Sequence, residues 1–204
     1  RVSLCLIGGT FDRFHVGHEH LLNTCLEKSD TVQVWLISDE IAKKKNPLIL
    51  SWDERKNDIL VWVEKFGFSE NLTIHLLNDS IGPAATTQEA DAIGCTTETR
   101  AACEDINSRR QHRGLPQLSI IEANHVSSPD GNIISSSRIR AGEIGRDGTC
   151  WLGDAEMYID QQMPEILDSE LKKPYGTLFE GPESNTSIAM KKAISTIQEN
   201  CPKL

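Results

Sequence analysis

A chain of 204 residues, 38% of them hydrophobic, can bury one substantial core with some length to spare. Its 21 basic and 30 acidic residues leave a net charge of −9, which excludes a broad basic footprint for nucleic acid. No run approaches the roughly 20 apolar residues of a membrane-spanning helix, so no membrane partner is expected. The six cysteines form no C-x-x-C pair, and most lie in or beside apolar patterns. Buried thiols in a reducing cytoplasm are therefore expected, with no metal site made by the protein. No leader-like segment precedes the first strand pattern, which also suits a cytoplasmic location.

The first element is the apolar run Val2 to Ile7, which reads as a short buried strand. Gly8-Gly9-Thr10-Phe11-Asp12-Arg13-Phe14-His15-Val16-Gly17-His18 follows it. Then comes an amphipathic segment, His18 to Lys28, with Leu21, Leu22, Cys25 and Leu26 at helical spacing. Strand, glycine-rich turn and helix in this order aim backbone N–H groups and a helix N-terminus at a phosphate. The paired glycines permit a sharp turn and a close approach of a ligand to the backbone. His15 and His18, three residues apart, face one pocket mouth and can donate hydrogen bonds to phosphate oxygens as charge builds up.

Thr31 to Ile37 reads as a central parallel strand, closed by Ser38-Asp39-Glu40 and a turn at Lys43-Lys44-Lys45-Asn46-Pro47. Three adjacent lysines usually form a solvated turn. These follow a strand's carboxyl end, the edge where open α/β sheets bind ligands. Lys44 first and Lys45 second are therefore candidates to neutralise phosphate. Ser51-Trp52-Asp53-Glu54 is a capping box that opens a helix through about Phe66, with Ile59, Leu60, Val63 and Phe66 as its inward stripe and Arg55 near its start.

A third strand runs Leu72 to Leu77, and a turn-rich loop from Asn78 to Thr87 leads to a fourth, Ala90 to Cys95. Thr96 to Arg100 then begins a helix that ends in Arg109-Arg110-Gln111-His112-Arg113, cations suited to a helix C-terminus. The start of that helix, at Thr96 to Glu98, again lies past a strand's carboxyl end and can hold an adenosine or ribose. A fifth strand, Gln117 to Ala123, precedes the turn Ser128-Pro129-Asp130-Gly131. In Ile134-Ser135-Ser136-Ser137-Arg138-Ile139-Arg140 serines cap a short helix bearing two arginines, a second anion site.

The first of these stretches resembles the leading signature of the nucleotidyltransferases related to class I aminoacyl-tRNA synthetases. Their H-x-G-H element binds a nucleoside triphosphate, and they transfer a nucleotidyl group while expelling pyrophosphate. The serine–arginine stretch matches the I-S-S-[ST]-x-[IV]-R element of the same superfamily, which holds the β- and γ-phosphates from the side opposite the histidines. Between them, Ser38-Asp39-Glu40 with the lysine run, Gly82-Pro83-Ala84, Asp91-Ala92-Ile93, Glu104-Asp105-Ile106-Asn107 and Arg113-Gly114-Leu115-Pro116 are similar to the archaeal and eukaryotic type of phosphopantetheine adenylyltransferase. The resemblance covers about residues 2 to 148. Ser137 stands where Thr is more usual, and Gly94-Cys95-Thr96-Thr97 is more polar than the family's strand, although Glu98-Thr99 fits.

The resemblance implies an α/β fold, a Rossmann-like open parallel five-stranded sheet with flanking helices, in residues 1–148, followed by a C-terminal extension in residues 149–204. It implies adenylate transfer from ATP to 4′-phosphopantetheine, giving dephospho-coenzyme A and pyrophosphate. Gly8, Gly9, Thr10, Phe11, His18, Glu98, Ser135, Ser136, Ser137 and Arg140 would bind the nucleotide. Thr10 would orient the reacting phosphates, His15 and His18 would stabilise the pentavalent α-phosphorus, and Lys44 would neutralise charge. Mg²⁺ would bridge the triphosphate, held mostly by phosphate and water. Asp12 would fix the first loop. A sibling transferase acting on nicotinamide mononucleotide or a cytidylyltransferase substrate is the nearest alternative. A nucleotide-binding regulator without turnover is the other, and the intact set of site residues argues against it. In the extension, Met163 to Leu167 and Leu171 to Gly181 resemble the opening of archaeal GTP-dependent dephospho-coenzyme A kinase. Residues 149–204 are therefore expected to be a linker with the truncated or remnant start of a fused or docked kinase domain, or else an extension of helices packing on the core. The kinase's acidic motifs do not occur before Leu204, so no kinase activity is expected of this chain.

Overall fold

Five stretches of apolar and β-branched residues pair side by side in the computed structural model, which describes residues 1–79 and 82–150. They are β1 (Val2–Gly9), β2 (Ser29–Ile37), β3 (Leu72–Leu77), β4 (Ala92–Thr96) and β5 (Ser119–Ala123). All pairings are parallel, in the order β3-β2-β1-β4-β5. The helices are α1 (Val16–Lys28), α2 (Asp39–Lys45), α3 (Trp52–Phe66), α4 (Arg100–His112) and α5 (Ser136–Arg140). The kinase-like stretches of the tail lie outside the described residues.

Alternation along β1 divides the core. Cys5 and Ile7 face a cluster with Leu22 and Cys25 of α1 and Ile59 and Val63 of α3, while Leu6 joins Ile93, Cys95 and Cys103 on the α4 side. A doubly covered parallel sheet results. Its strand order reverses between β1 and β4, and the carboxyl ends of those strands frame the crevice where such sheets bind ligands. Gly94 of β4 allows α1 to lie close here, since a Cβ would fall 2.5 Å from Cys25 Sγ and 2.9 Å from Ile7 Cγ1.

Three expectations change. Gly8 and Gly9 do not turn but end β1, paired with Trp35 and Leu36 of β2, and the chain turns at Phe11 to Arg13. The lysine run is not a turn but the last turn of α2, which Ser38 caps by accepting from the Ile41 N–H. Asp39 and Glu40 in its first turn and the three lysines in its last both complement the helix dipole. In α3 the inward residues are Arg55, Ile59, Trp62 and Val63, whereas Leu60 is 41% and Phe66 51% exposed. Ile59 and Val63 are buried as expected, and Arg55 and Trp62 share that face in place of Leu60 and Phe66. The capping box at Ser51 and Glu54 forms as expected. The five described cysteines are free thiols, four of them buried. No described helix is long and apolar enough to cross a membrane.

Candidate functional site

The loop after β1 is held in an uncommon conformation. Phe11 and Arg13 take positive φ values of 50° and 46°, which L-residues adopt only when their surroundings compel it. The Phe11 ring is buried, and a Cβ on Gly9 would lie 2.7 Å from it, so Gly9 makes room for the ring. Asp12 between them is 1% exposed and accepts from the Leu50 N–H at 2.9 Å, from Arg13 Nη1 at 2.9 and 3.1 Å, and from Arg140 Nη1. Burial pushes its carboxyl up, but the Leu50 N–H and the Arg140 and Arg13 guanidiniums outweigh it and hold the acid below its ordinary range. The Asp12 carbonyl also accepts from Ser136 Oγ at 2.6 Å. Two motifs far apart in sequence thus meet at one buried residue.

His15 is the N-cap of α1, its Nδ1 accepting from the Gly17 N–H at 3.1 Å, which assigns the proton of the neutral ring to Nε2. Its ring stacks on that of His18 with centroids 3.8 Å apart. Phe11 and Phe14 flank His18 at 4.9 and 5.7 Å, and His18 Nδ1 is buried without a hydrogen-bond partner. Burial, with Arg146 adding to it and Asp12 opposing, pushes His15 down to about 4. Burial and then the neighbouring His15 push His18 well below the usual imidazole range. Near pH 7 both rings are neutral and can donate hydrogen bonds but not act as standing cations.

Two cavities open at the carboxyl edge of the sheet. One of about 290 Å³ is lined by His15, His18, Glu98 and Ser135 to Ser137, together with Asn124, His125 and Val126 just past β5. The other, about 420 Å³, takes Gly8, Gly9, Thr10, Lys45 and Thr99 into an otherwise largely apolar wall that includes Trp35 and Leu77. The serines divide their work. Ser135 caps α5, Ser136 donates to the Asp12 carbonyl, and Ser137 Oγ accepts from Arg140 Nη2 at 3.0 Å.

Most sequence-predicted residues line one of these cavities. Phe11 does not: it packs beneath His18. Arg140 is drawn into the ion pair with Asp12. Lys44 points away, its side chain 72% exposed and paired with Glu40 at 2.8 Å, while Lys45 lines the larger cavity. On a helix successive residues turn by about 100°, so only one of the three lysines can face the cavity. Sequence reasoning missed Asn124 to Val126, whose one signal was their place after the fifth strand, and the apolar wall, whose residues resemble any core residue.

Residues 6–142 match the cytidylyltransferase-like family. Phosphopantetheine adenylyltransferase of Methanopyrus kandleri is 37% identical over 151 residues, covering 74% of this chain and 95% of its own. The protein of the same name from Methanothermobacter thermautotrophicus is 36% identical over 146 residues, covering 71% and 87%. In fold the chain is similar to a crystal structure of an Archaeoglobus fulgidus protein with unknown function, with a TM-score of 0.53 at 21% identity, over 59% of this chain and 97% of that one.

Proposed function

This chain belongs to the phosphopantetheine adenylyltransferases within the cytidylyltransferase-like family, and we propose that it transfers adenylate from ATP to 4′-phosphopantetheine, releasing pyrophosphate and dephospho-coenzyme A. One observation carries the reading beyond kinship. Two cavities share the carboxyl edge of β1 and β4, one lined by His15, His18, Glu98 and Ser135 to Ser137, the other by a longer apolar wall with Thr10 and Lys45 in it. The first offers imidazole and hydroxyl donors to a triphosphate nucleotide. The apolar one suits an acceptor with a phosphate at one end and a long neutral arm.

The acceptor phosphate is already a nucleophile, so no covalent intermediate on the protein is needed. One of its oxygens forms a bond to the α-phosphorus, the bond from that phosphorus to the bridging oxygen breaks, and pyrophosphate leaves with the electron pair. The protein supplies position and charge compensation. Thr10 orients the two phosphates. His15 and His18 donate N–H groups to oxygens on which negative charge accumulates, which neutral rings do without binding the ground state as cations would. Ser135, Ser136 and Ser137 hold the β,γ end, Glu98 faces the nucleoside, and Arg140 stiffens the site through Asp12. Lys45 rather than Lys44 meets the acceptor phosphate. Mg²⁺ enters as part of the MgATP substrate, carried by phosphate and water, since Asp12 is committed to its own partners. We assign residues 1–148 to the transferase unit.

The test is product identity. ATP and 4′-phosphopantetheine incubated with the chain should give dephospho-coenzyme A by mass spectrometry, and nicotinamide mononucleotide should give no dinucleotide. The opposite pattern would overturn the acceptor while leaving the family intact.

A further inference from the structure

Arg55 is one of the most completely buried side chains described, at 0% exposure. It stands at the fourth residue of α3, where a cation opposes the helix dipole, so helix stability does not account for it. Burying a guanidinium also carries a desolvation penalty that one partly exposed carboxylate does not offset. Its hydrogen bonds explain its place. Nε donates to the Leu50 carbonyl at 2.9 Å, Nη1 to the Thr10 carbonyl at 2.9 Å, and Nη2 to the Ile37 carbonyl and to Asp39 Oδ1, both at 3.0 Å.

These acceptors come from four segments: the loop after β1, the end of β2, the first residue of α2, and the turn before α3. Three of the residues that those segments carry, Thr10, Ile37 and Lys45, line the larger cavity. No atom of the histidine and serine cavity is among the partners of Arg55. An apolar residue would fill the same space but could not join the segments. A lysine would reach fewer acceptors, and not in the fixed planar directions of a guanidinium.

We infer that Arg55 is a positioning residue for the acceptor, setting the distance and direction between the Thr10 backbone and the α2 helix that carries Lys45. This rests on the reading of the larger cavity as the acceptor site. It goes beyond that reading in making the acceptor end of the site depend on a side chain that never touches substrate. It also makes the two substrates separable in degree: loss of the Arg55 fork loosens the acceptor's phosphate seat first, while the histidine and serine seat of the triphosphate, which Arg55 does not touch, keeps its own contacts.

The experiment is steady-state kinetics on the full chain for wild type and Arg55→Lys, with MgATP and 4′-phosphopantetheine varied in turn, alongside calorimetric ATP binding. The expected result is an acceptor KM raised about tenfold or more with a lower kcat, since displacements near 1 Å at a reacting centre cost up to about 10²-fold. The ATP KM and Kd should stay within about twofold. An unchanged acceptor KM, or ATP and acceptor constants rising together, would overturn the inference. Should Arg55→Lys fail to fold, Asp39→Ala decides, because Asp39 is 47% exposed and its loss leaves the core filled. It should raise the acceptor KM about threefold, and Lys45→Ala should then add less than it does in wild type. Full additivity of the two would overturn the inference. If the wild-type chain gives no turnover with 4′-phosphopantetheine, the acceptor reading fails instead, which is a different outcome.

Discussion

Asp12→Asn tests what locks the two signature motifs together. The replacement keeps the shape and an acceptor for the Leu50 N–H but removes the charge that balances Arg140 and Arg13. Removing one partner of a fully buried ion pair costs about 3–5 kcal/mol. Here Asp12 is 1% exposed, but the side chains of Arg140 and Arg13 are 13% and 22% exposed, so water softens the loss. A destabilisation of about 2–3 kcal/mol follows, measured as a lower urea midpoint at pH 7 with an unchanged slope. The pH dependence has a definite sign. The Asp12 carboxyl lies below its ordinary 3.8 in the folded state, so its stabilisation is present above that value and is lost as pH falls through the folded pKa. The gap between wild type and variant should therefore narrow below about pH 4. A loss under about 0.5 kcal/mol at pH 7, or a gap that persists unchanged in acid, would refute the argument.

Three further outcomes are expected. His18→Ala should lower turnover by about 10²–10³ with the fold retained, the ring contacts it loses being partly offset by removal of a buried unpartnered Nδ1. Lys45→Ala should raise the acceptor KM about tenfold, and Lys44→Ala, which breaks only an exposed pair with Glu40, should stay within about twofold. His15 at about 4 folded against 6.5 unfolded means that the folded state takes up fewer protons between those values. Stability should rise with pH across that window, by on the order of 3 kcal/mol from this group, and urea melts of His15→Asn at several pH values should show a flatter slope.

What could be read from sequence follows from how local each feature is. The strand and the capped helix between Val2 and Lys28 rest on neighbours in sequence and form, with His15 as the cap, whereas Gly8 and Gly9, expected to make the turn, stay in β1 and the turn falls at Phe11 to Arg13. The seven-residue helix α2 had a readable pattern in Ser38, two acids and three lysines, yet a run of like charge reads first as solvated turn. Leu60 and Phe66 were expected inward as apolar residues in one stripe with Ile59 and Val63, but they are exposed. Arg55 faces inward instead, satisfied by carbonyls from segments that only the fold brings together. The same holds for Lys45 against Lys44, where the choice depends on the phase of a helix, and for the apolar wall of the larger cavity, whose residues carry no chemical mark.

The most direct measurement is pyrophosphate release by the purified chain with Mg²⁺ across a matrix of donors and acceptors. ATP and CTP would each be offered with 4′-phosphopantetheine, nicotinamide mononucleotide and glycerol 3-phosphate. Turnover is expected with ATP and 4′-phosphopantetheine, with kcat/KM at least about 10²-fold above every other pair. Preference for another acceptor, or ATP binding without pyrophosphate release from any pair, would contradict it.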